Sequence, residues 1–318
     1  MKKTKLIVKT KSKIYPIIIG SNILKNTSSI LKSNNISFNK CLIIADKRVP
    51  KKNLLSLKKQ ILSKTKFTHL FNSSEKNKNQ QSVNIILNKL FKNNFNREDC
   101  IISLGGGITG DVAGYAASIY KRGLKFINIP STLLAQVDSS IGGKTGINNS
   151  YGKNLVGAFF QPDLVISDIN LLKSLSKREI ICGYGEIIKH SLIATKKTFN
   201  FLNKNKFKIL KLQSPYIEKA ISDSCKIKRN IVQLDEKEKN IRKVLNLGHT
   251  FAHAYEATLR YSGKLNHGEA VILGINSAVK FSLQNKLLNK NIHDQILSHI
   301  NHLKLPNNLN KYFNKKNI

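Results

Sequence analysis

Short apolar runs alternate with amphipathic helical patterns through the first half of this 318-residue chain. The amino terminus alternates like a first strand, and the runs predicted as further strands are YPIIIG, CLIIAD, FTHLFN, CIISLGG, FINIPS and DLVISD. Helical patterns lie near residues 50–64, 80–92 and 109–120. This alternation predicts an α/β fold with a Rossmann-like, mainly parallel sheet that helices cover on both faces.

The pattern changes after Asp168. Helical periodicity then continues almost without strand signals, through residues 170–196, 215–236, 241–260 and 267–287. We therefore expect two domains, an α/β domain over residues 1–170 and an all-helical domain over residues 171–318.

A glycine cluster follows the fourth of the apolar runs, in CIISLGGGITGDVAGYAAS. Gly105, Gly107 and Gly110 satisfy G-x-G-x-x-G between a predicted strand and a predicted helix. Glycines there let the backbone approach a pyrophosphate, which then sits at the amino terminus of the helix. Such a turn can also exist only for packing, but this context favours a dinucleotide. Asp111 is either a first-turn charge favoured by the helix dipole or a contact to the cofactor.

The stretch DSSIGGKTGIN, residues 138–148, looks like a P-loop at first sight but lacks its essential parts. Asp138 stands where the first glycine should be, and its carboxylate would repel a triphosphate. The residues that follow, INNSYGKN, are typical of a turn and not of a helix. Lys144 is therefore not expected to bind a nucleoside triphosphate.

Three of the eight histidines lie close together in the sequence. His249 and His253 share one face if they lie on a helix, and His267 follows after a turn. Upstream, Glu186 and Lys189 share another helical face. An oxygen ligand with imidazoles from different helices is typical of catalytic zinc. Each histidine alone is more easily an ordinary surface or core residue; the cluster favours a metal site, and spacing alone pairs His249 with His253.

A second polar pattern lies beside this cluster. Arg242, Asn246 and His249 recur at helical spacing, and Lys228 precedes them on a neighbouring predicted helix. A cation, an amide and an imidazole on one face suit an anionic, polyhydroxylated ligand. A solvated basic face is the alternative in so lysine-rich a chain.

The formal net charge of +36 raises the question of a nucleic-acid or membrane-surface partner. However, the lysines are scattered through every segment, and no RNP, zinc-knuckle or helix-turn-helix signature accompanies them. The abundance of Lys, Asn and Ile and the absence of Trp indicate A/T-rich coding. We therefore expect no specific nucleic-acid binding, although a basic field attracts a doubly anionic small substrate.

The four cysteines contain no CxxC pair, which excludes a zinc ribbon or disulfide framework and suits a reducing compartment. The sequence has no apolar run of about 18 residues for a membrane span and no signal-peptide core at its start. We expect a cytoplasmic protein without a membrane partner.

Taken together, these residues closely resemble one family, the 3-dehydroquinate synthases of the shikimate pathway, in the sugar phosphate cyclase superfamily. The similar segments run in order over most of residues 40–280: GGGITGDVAGYAASIYKRG, NIPSTLLAQVDSSIGGKTGIN, GKNLVGAFFQPDLVISD, REIICGYGEIIKH, KIKRNIVQLDEKE, RKVLNLGHTFAHAYEA and LNHGEAVILGI. Lys144 and its turn then resemble part of the wall between cofactor and substrate.

The resemblance implies an NAD-binding α/β domain, a helical metal- and substrate-binding domain, and one divalent metal ion, zinc or cobalt. It implies conversion of 3-deoxy-D-arabino-heptulosonate 7-phosphate to 3-dehydroquinate and phosphate in chorismate and aromatic amino acid biosynthesis. The steps would be transient oxidation by NAD, β-elimination of phosphate, re-reduction and intramolecular aldol closure. The implied partners are a phosphorylated sugar acid and a second copy of the chain.

Residue by residue, the resemblance implies a metal site of Glu186, His249 and His267, with His253 left for proton transfer. The other catalytic residues that it implies are Glu238, Lys189 and Asn246. The implied substrate contacts are Arg122, Asp138, Lys144, Asn154, Lys228, Arg242, Asn246, His249 and His267. The implied cofactor contacts are Asp46, Glu75, Lys78, Gly106, Gly107, Ile108, Thr109, Gly110, Asp111, Ser131, Thr132, Lys144, Lys153, Leu171 and Ser174.

Within the substrate set, Lys228 and Arg242 would hold the carboxylate, and Asp138 would contact hydroxyl groups. Arg122 resembles an arginine that reaches the substrate phosphate of the neighbouring subunit. The phosphate and hydroxyl contacts would be Lys144, Asn154, Lys189, Asn246 and His253.

The sequence departs from the family pattern at Arg48, where Asn is usual, and at Ser74, Ser131, Ser174 and Ser176, where Gly, Thr, Thr and Pro are usual. The family normally continues past LPNNLN into a segment with Asp-Lys-Lys. We expect one of three outcomes: KKNI is a shortened substitute for this segment, the protein binds its substrate with lower affinity, or the protein has lost its function. Acidic residues retained in the matched segments despite the lysine bias argue against loss of function.

Two other enzymes share parts of this pattern, another sugar-phosphate cyclase and a metal- and NAD-dependent polyol dehydrogenase. We consider the other cyclase the less favoured alternative, because Lys228 and Arg242 are expected to hold a substrate carboxylate. The basic residues Lys144 and Lys189 favour a phosphorylated acid over a neutral alcohol.

Overall fold

The computed structural model describes residues 3–260, 262–303, 305–306 and 309–313, so the KKNI segment lies outside the described residues. The chain forms two compact units. The first consists of Met1–Leu175 with Lys228–Lys237, and the second of Ser176–Ile227 with Glu238–Ile318. The division expected from the sequence, between residues 170 and 171, leaves the returning segment Lys228–Lys237 with the helical part, whereas its contacts join it to the first unit.

The first unit contains every strand of the described chain. The strands are β1 (Thr4–Lys9), β2 (Ile14–Gly20), β3 (Lys40–Asp46), β4 (Thr65–Phe71), β5 (Cys100–Gly105), β6 (Lys125–Pro130), β7 (Lys144–Asn149), β8 (Gly152–Phe159) and β9 (Leu164–Asp168). Seven of them form one sheet in the order β1-β2-β9-β6-β5-β3-β4. β1 pairs antiparallel with β2, and the other neighbours in this sheet pair in parallel. The predicted α/β class with a mainly parallel sheet is therefore confirmed.

Helices cover both faces of this sheet. Those of the first unit before its last strand are α1 (Thr27–Ser33), α2 (Lys51–Gln60), α3 (Gln80–Lys92) and α4 (Gly107–Ile119). Successive residues of a strand point to opposite faces. Accordingly, Ile43 of β3 packs into one hydrophobic cluster, while its neighbours Leu42 and Ile44 pack into another. Burial on both faces is why β3 and β5 are continuous apolar runs.

The sequence analysis missed the hairpin formed by β7 and β8. Its turn was predicted, and there Asn149 Oδ1 accepts hydrogen bonds from the backbone of Tyr151 and Gly152. The strands themselves carry few apolar side chains. They approach so closely that a Cβ at Gly157 would overlap the carbonyl oxygen of Thr145. Glycine and polar residues thus conceal a strand pattern here.

The described part of the second unit is helical. The helices after β9 are α5 (Lys177–Ala194), α6 (Lys196–Leu210), α7 (Tyr216–Leu234), α8 (His249–Thr258), α9 (His267–Gln284) and α10 (Lys290–His302). The end of α7, from Lys228 onward, belongs to the returning segment of the first unit. Of these, α6 and α10 were not predicted. None of the helices in the described ranges is long and apolar enough to span a bilayer.

Side chains of the first unit anchor its returning segment, residues 228–237. Gln233 Oε1 accepts a hydrogen bond from the Lys9 amide at 2.9 Å. The buried Glu236 carboxylate accepts from the Ser12 amide at 3.1 Å, from the Ser12 hydroxyl, and from Gln161 Nε2 at 2.9 Å. Burial alone would raise the pKa of Glu236, but these hydrogen bonds outweigh it, so the pKa is lowered.

We expect Glu236→Gln to lower the free energy of unfolding by about 1–3 kcal/mol at neutral pH, because a neutral amide cannot accept all of these hydrogen bonds. Since the folded pKa is depressed, this contribution is complete above the unfolded-state pKa of about 4.3 and is lost as the pH falls through the folded value. Denaturant unfolding of both proteins at pH 7 and about pH 3 measures the difference.

Glu98→Gln is the matched control, because the Glu98 side chain is 76% exposed and pairs only at the surface with Lys125. It should change stability little at either pH. A difference between wild type and Glu236→Gln that stays constant on acidification would contradict this account of Glu236.

Candidate active site

The carboxyl ends of the parallel strands place the expected cofactor contacts of the first unit at one edge of its sheet. Ligands of open parallel sheets bind at this edge. Asp46 ends β3, Glu75 and Lys78 follow β4, the glycine turn follows β5, and residues 131–132 follow β6. After β9, Leu171 and Ser174 lie in the 3-10 segment Ile169–Ser174.

The turn after β5 has the shape needed to receive a phosphate group. α4 begins at Gly107, directly after the strand, and no side chain caps its amino terminus. A Cβ on Gly105 would lie 2.5 Å from Thr109 Oγ1, and one on Gly106 would lie 3.1 Å from Thr132 Cγ2. Glycine lets these segments pack this closely, and the first-turn N–H groups of a helix without a side-chain cap attract an anion. The residues present therefore fit a dinucleotide.

Asp111 does not lie in the first turn of α4, as one interpretation of the sequence held. It lies one turn further along, where Lys78 Nζ donates to Asp111 Oδ2 at 2.5 Å and to Asn154 Oδ1 at 2.6 Å. Burial raises the pKa of Asp111, and Lys78 offsets part of that effect. This buried lysine joins the residues after β4 to α4 and to the β7–β8 hairpin.

The hairpin carries three more of the expected residues. Lys144 is the exposed first residue of β7, and Lys153 and Asn154 lie on β8. Asn148 Nδ2 donates to Glu75 Oε2 at 2.8 Å, which fixes the hairpin to the segment after β4. The glycine pair before Lys144 forms a turn, as predicted, with φ of 101° at Gly142.

Two further expected contacts in the first unit pair with each other. Asp138 lies in the π-helical turn Ala135–Ser139, and Lys228 lies on α7. Lys228 Nζ donates to Asp138 Oδ1 at 2.5 Å and to the Asp138 carbonyl at 2.8 Å. This lysine is therefore paired with a carboxylate of the chain itself.

Arg122 lies at a tight turn between α4 and β6. Its φ is 66°, and the φ of the preceding Lys121 is 46°, both in the left-handed region. The Arg122 side chain is exposed.

In the second unit, three helices bring together Glu186, His249 and His267. Glu186 lies on α5, and the two histidines are the first residues of α8 and α9. Glu186 Oε1 is 3.7 Å from His249 Nε2 and 4.0 Å from His267 Nε2. All three donor atoms lie within 4.8 Å of one another.

The environment of Glu186 fits a divalent cation. Its side chain is 1% exposed, and neither oxygen accepts a hydrogen bond from the described residues. Lys189 forms an ion pair with it one turn along α5. A buried carboxylate without hydrogen bonds, facing two imidazoles, is the donor set of a catalytic zinc site.

His253 lies beside this group. Its ring centroid is 5.4 Å from that of His249 and 6.2 Å from that of His267, and its side chain is exposed. With Glu256 and His267 it forms a second set of possible ligands. His249 and His253 do share a face of α8, as their spacing predicts.

Close backbone contacts at glycine hold the three ligand-bearing helices together. A Cβ on Gly268 would overlap the Cys182 carbonyl of α5, and one on Gly185 would lie 2.9 Å from the Gly268 oxygen. A Cβ on Gly274 would overlap the carbonyl oxygen of Gly248, the residue before α8. The side chains of Glu186, His249 and His267 therefore meet because α9 lies against its neighbours without intervening side chains.

The sequence analysis missed the residues that orient His267. Glu256 Oε2 lies 3.3 Å from His267 Nδ1, on the far side of the ring from Glu186. Asn266 and Glu269 form a capping box at the start of α9, and Arg178 donates twice to Glu269, at 2.9 and 2.6 Å. The N-x-x-E spacing before an apolar run is a signal that could have predicted this cap.

A second missed pair lies behind Glu186. His190 is fully buried, and its Nε2 lies 4.0 Å from Glu186 Oε2. Its Nδ1 lies 2.6 Å from Ser224 Oγ on α7.

The helical face expected for Arg242, Asn246 and His249 is wrong. Residues Ile241–Asn246 form a 3-10 segment, and Gly248, with φ of 79°, separates it from α8. Arg242 is buried, whereas Asn246 Nδ2 donates to Glu238 Oε1 at 3.1 Å. The structure thus pairs Asn246 with Glu238, and Arg242 and Asn246 do not continue the face of α8 that carries His249.

Two family models match consecutive parts of the chain. The one described as 3-dehydroquinate synthase N-terminal matches residues 68–182, and the one described as 3-dehydroquinate synthase C-terminal matches residues 183–317.

Individual proteins are also similar to the chain. The 3-dehydroquinate synthase of Pelagibacter ubique (strain HTCC1062) is 61% identical over 314 residues, which are 99% of this chain and 85% of that protein. The 3-dehydroquinate synthase of Legionella pneumophila (strain Lens) is 41% identical over 295 residues, 93% of this chain and 79% of that protein. The crystal structure of 2-deoxy-scyllo-inosose synthase complexed with carbaglucose-6-phosphate, NAD+ and Co2+ has a TM-score of 0.84 and 26% identity, over 95% of this chain and 81% of that one.

We expect Gly268→Ala to lower the free energy of unfolding by about 1–3 kcal/mol or more, because its Cβ overlaps backbone. Moving α9 away from α5 also moves His267 away from Glu186, so the variant should retain less zinc after dialysis. Thermal unfolding and metal analysis measure the two effects.

Lys280→Ala is the matched control, since it introduces the same residue at an exposed position of α9. It should keep both stability and metal. Normal zinc content in a folded Gly268→Ala protein would contradict the role assigned to this contact.

Proposed function

The chain belongs to the 3-dehydroquinate synthase family, and on this basis we propose which of its residues carry out the family's reaction. The enzyme is a lyase that converts 3-deoxy-D-arabino-heptulosonate 7-phosphate to 3-dehydroquinate and phosphate in aromatic amino acid biosynthesis. The observation that carries the proposed roles is the buried Glu186 carboxylate, which faces two imidazole nitrogens.

The reaction oxidises one hydroxyl-bearing carbon of the substrate only transiently. The ketone makes the neighbouring C–H acidic, so that phosphate leaves by β-elimination; the carbonyl is then reduced again, and the opened ring closes by an intramolecular aldol step. NAD and a divalent metal ion are the cofactors, and when bound they supply a reversible hydride acceptor and an electrophile that lowers the pKa of a substrate hydroxyl.

We assign the cofactor role in the first unit to the sheet edge. Residues 106–111 would receive the pyrophosphate, because the amino terminus of α4 has no side-chain cap and its first-turn N–H groups attract an anion. Asp46, Leu171 and Ser174 would contact the adenosine part. The remaining cofactor contacts proposed are Glu75, Lys78, Ser131, Thr132, Lys144 and Lys153.

Glu186, His249 and His267 would hold the metal ion in the second unit. Their donor atoms converge and come from three different helices, which leaves positions for substrate hydroxyls. His253, exposed beside both imidazoles, would then move a proton to or from the substrate. Zinc is the ion we expect, with cobalt as a substitute.

Cationic residues would hold the two negative groups of the substrate. Arg242 and Lys228 are proposed for the carboxylate, since a guanidinium can bind it through two parallel hydrogen bonds. Lys228 already holds a carboxylate, that of Asp138, which we propose as the contact to substrate hydroxyls. The phosphate and hydroxyl contacts proposed are Lys144, Asn154, Lys189, Asn246 and His253.

Glu238 is proposed as a carboxylate that handles a proton. Its φ is 56°, and its Oε1 accepts a hydrogen bond from Asn246 Nδ2, so the side chain is held in one place. Asn246 would also bind substrate directly.

We also propose a homodimer in which Arg122 reaches the substrate phosphate of the partner copy. The support is the left-handed backbone at Lys121 and Arg122, which projects an exposed arginine from a tight turn. A cytoplasmic location is proposed because the four cysteines form no disulfide, as suits a reducing compartment.

We expect the purified protein, loaded with zinc and supplied with NAD+, to release phosphate from the heptulosonate phosphate without net NADH. The hydride taken up is returned within the same cycle, so absorbance at 340 nm should stay flat while phosphate accumulates. A polyol dehydrogenase would instead form one NADH per substrate molecule. Absence of phosphate release from folded, metallated protein would overturn the proposal.

We expect His267→Ala to lose both metal and phosphate release, and His253→Ala to keep the metal while activity falls by about 100-fold or more, as for loss of an acid–base group. His253 is the matched control because it lies beside the same imidazoles. Metal analysis of both variants decides the ligand set. If both variants lose the metal, the second set of ligands, formed by His253, Glu256 and His267, is the correct one.

A further inference from the structure

Asp46 is the residue that would contact the adenosine ribose. It follows Ala45 of β3, which pairs with Leu104 of β5, so Asp46 lies beside Gly105, where the glycine turn begins. In dinucleotide-binding sheets an acidic residue near this turn accepts hydrogen bonds from the ribose hydroxyls, and its charge disfavours a 2′-phosphate. An unpaired Asp46 would therefore select NAD.

In this chain, however, Arg48 already occupies the Asp46 carboxylate. The Arg48 amide and Nε lie 3.0 and 3.2 Å from Oδ1, and Nη2 lies 2.9 Å from Oδ2. The Asp46 side chain is 3% exposed, whereas that of Arg48 is 62% exposed. A ligand that approaches this strand end meets a guanidinium, whose planar set of donors suits phosphate.

Three lysines line a pocket that the chain beyond Arg48 helps to form. Pro50 and Lys52 line this pocket of about 610 Å³, together with Lys25 and Lys173. Leu171 and Ser174, both proposed as adenosine contacts, line the same pocket.

One acidic residue, Asp168, also lines this pocket. Its carboxylate is buried and accepts hydrogen bonds from the amides of Asn22, Leu24 and Asn170. Asp168 therefore serves the fold at the end of β9, and the lysines set the charge that a ligand encounters.

We propose that the adenosine end of the cofactor site accepts a ribose 2′-phosphate through Arg48, so that the protein binds NADP+ as well as NAD+. The inference rests on the proposed cofactor site and adds its specificity. Arg48 both cancels the charge that would repel the 2′-phosphate and supplies donors to it.

Isothermal titration of the zinc-loaded protein with NAD+ and with NADP+ tests this directly. The two dissociation constants should agree within about tenfold, and Arg48→Asn should weaken NADP+ by about tenfold or more while NAD+ changes less than about threefold, as for loss of one charge-assisted hydrogen bond. The fragments 5′-AMP and 2′,5′-ADP, which differ only in the 2′-phosphate, should reproduce the contrast.

Lys47→Asn is the matched control for charge. Lys47 is the exposed neighbour of Arg48 and holds its place in the fold by a backbone hydrogen bond to Phe71, so the variant removes one charge from the same turn. It should leave the ratio of the two affinities unchanged.

Each outcome decides the inference. Tight NAD+ binding with NADP+ weaker by more than about tenfold would overturn it and leave the cofactor site standing. Equal effects of Arg48→Asn and Lys47→Asn would show general attraction by a basic protein and overturn the role of Arg48. Failure to bind either dinucleotide would overturn this inference and the cofactor site together.

Discussion

The buried carboxylate of Glu186 is the group around which the second unit is arranged. It is 1% exposed and, among the described residues, accepts no hydrogen bond. An ionised carboxylate in such a position costs several kcal/mol unless positive charge surrounds it. Lys189 supplies one charge, and the imidazoles of His249 and His267 are placed to share a divalent cation with it. Positive charge beside Glu186, from Lys189 and from a cation bound with the two imidazoles, would therefore offset the cost of burying its carboxylate.

Close packing at glycine positions the polar groups of both units. In the second unit, Gly268 against α5 and Gly274 against the residue before α8 fix the distances between Glu186, His249 and His267. In the first unit, Gly105 and Gly106 let the side chains of Thr109 and Thr132 pack closely against the turn after β5. A methyl group at any of these positions meets a neighbouring atom. The same residue type thus allows close packing against backbone in the second unit and against side chains in the first.

Elements whose apolar pattern comes from burial were predicted from the sequence. Elements with few apolar residues, and contacts between residues far apart in the sequence, were not. β3 and β5 are buried on both faces, so their apolar runs were readable. The β7–β8 hairpin was hidden because glycine and polar residues make up most of β7 and the start of β8, and α6 because lysine and asparagine dilute its apolar face. That residues 228–237 join the first unit depends on Glu236 meeting Ser12, 224 positions away. For the metal site, spacing paired His249 with His253, and the family resemblance supplied His267.

The two nitrogens of His267 connect these contacts to chemistry. Nδ1 faces the Glu256 carboxylate, and a proton placed between them leaves the lone pair of the ring on Nε2. Nε2 is the atom that faces Glu186, so this tautomer presents an acceptor to the metal position. The direction of the ring is set in turn by the start of α9, where the capping box and Arg178 bind Glu269. His267 is the first residue of α9, so the position of its ring depends on how rigid this end of the helix is. The hydrogen bonds that converge on residues 266–269 fix this end.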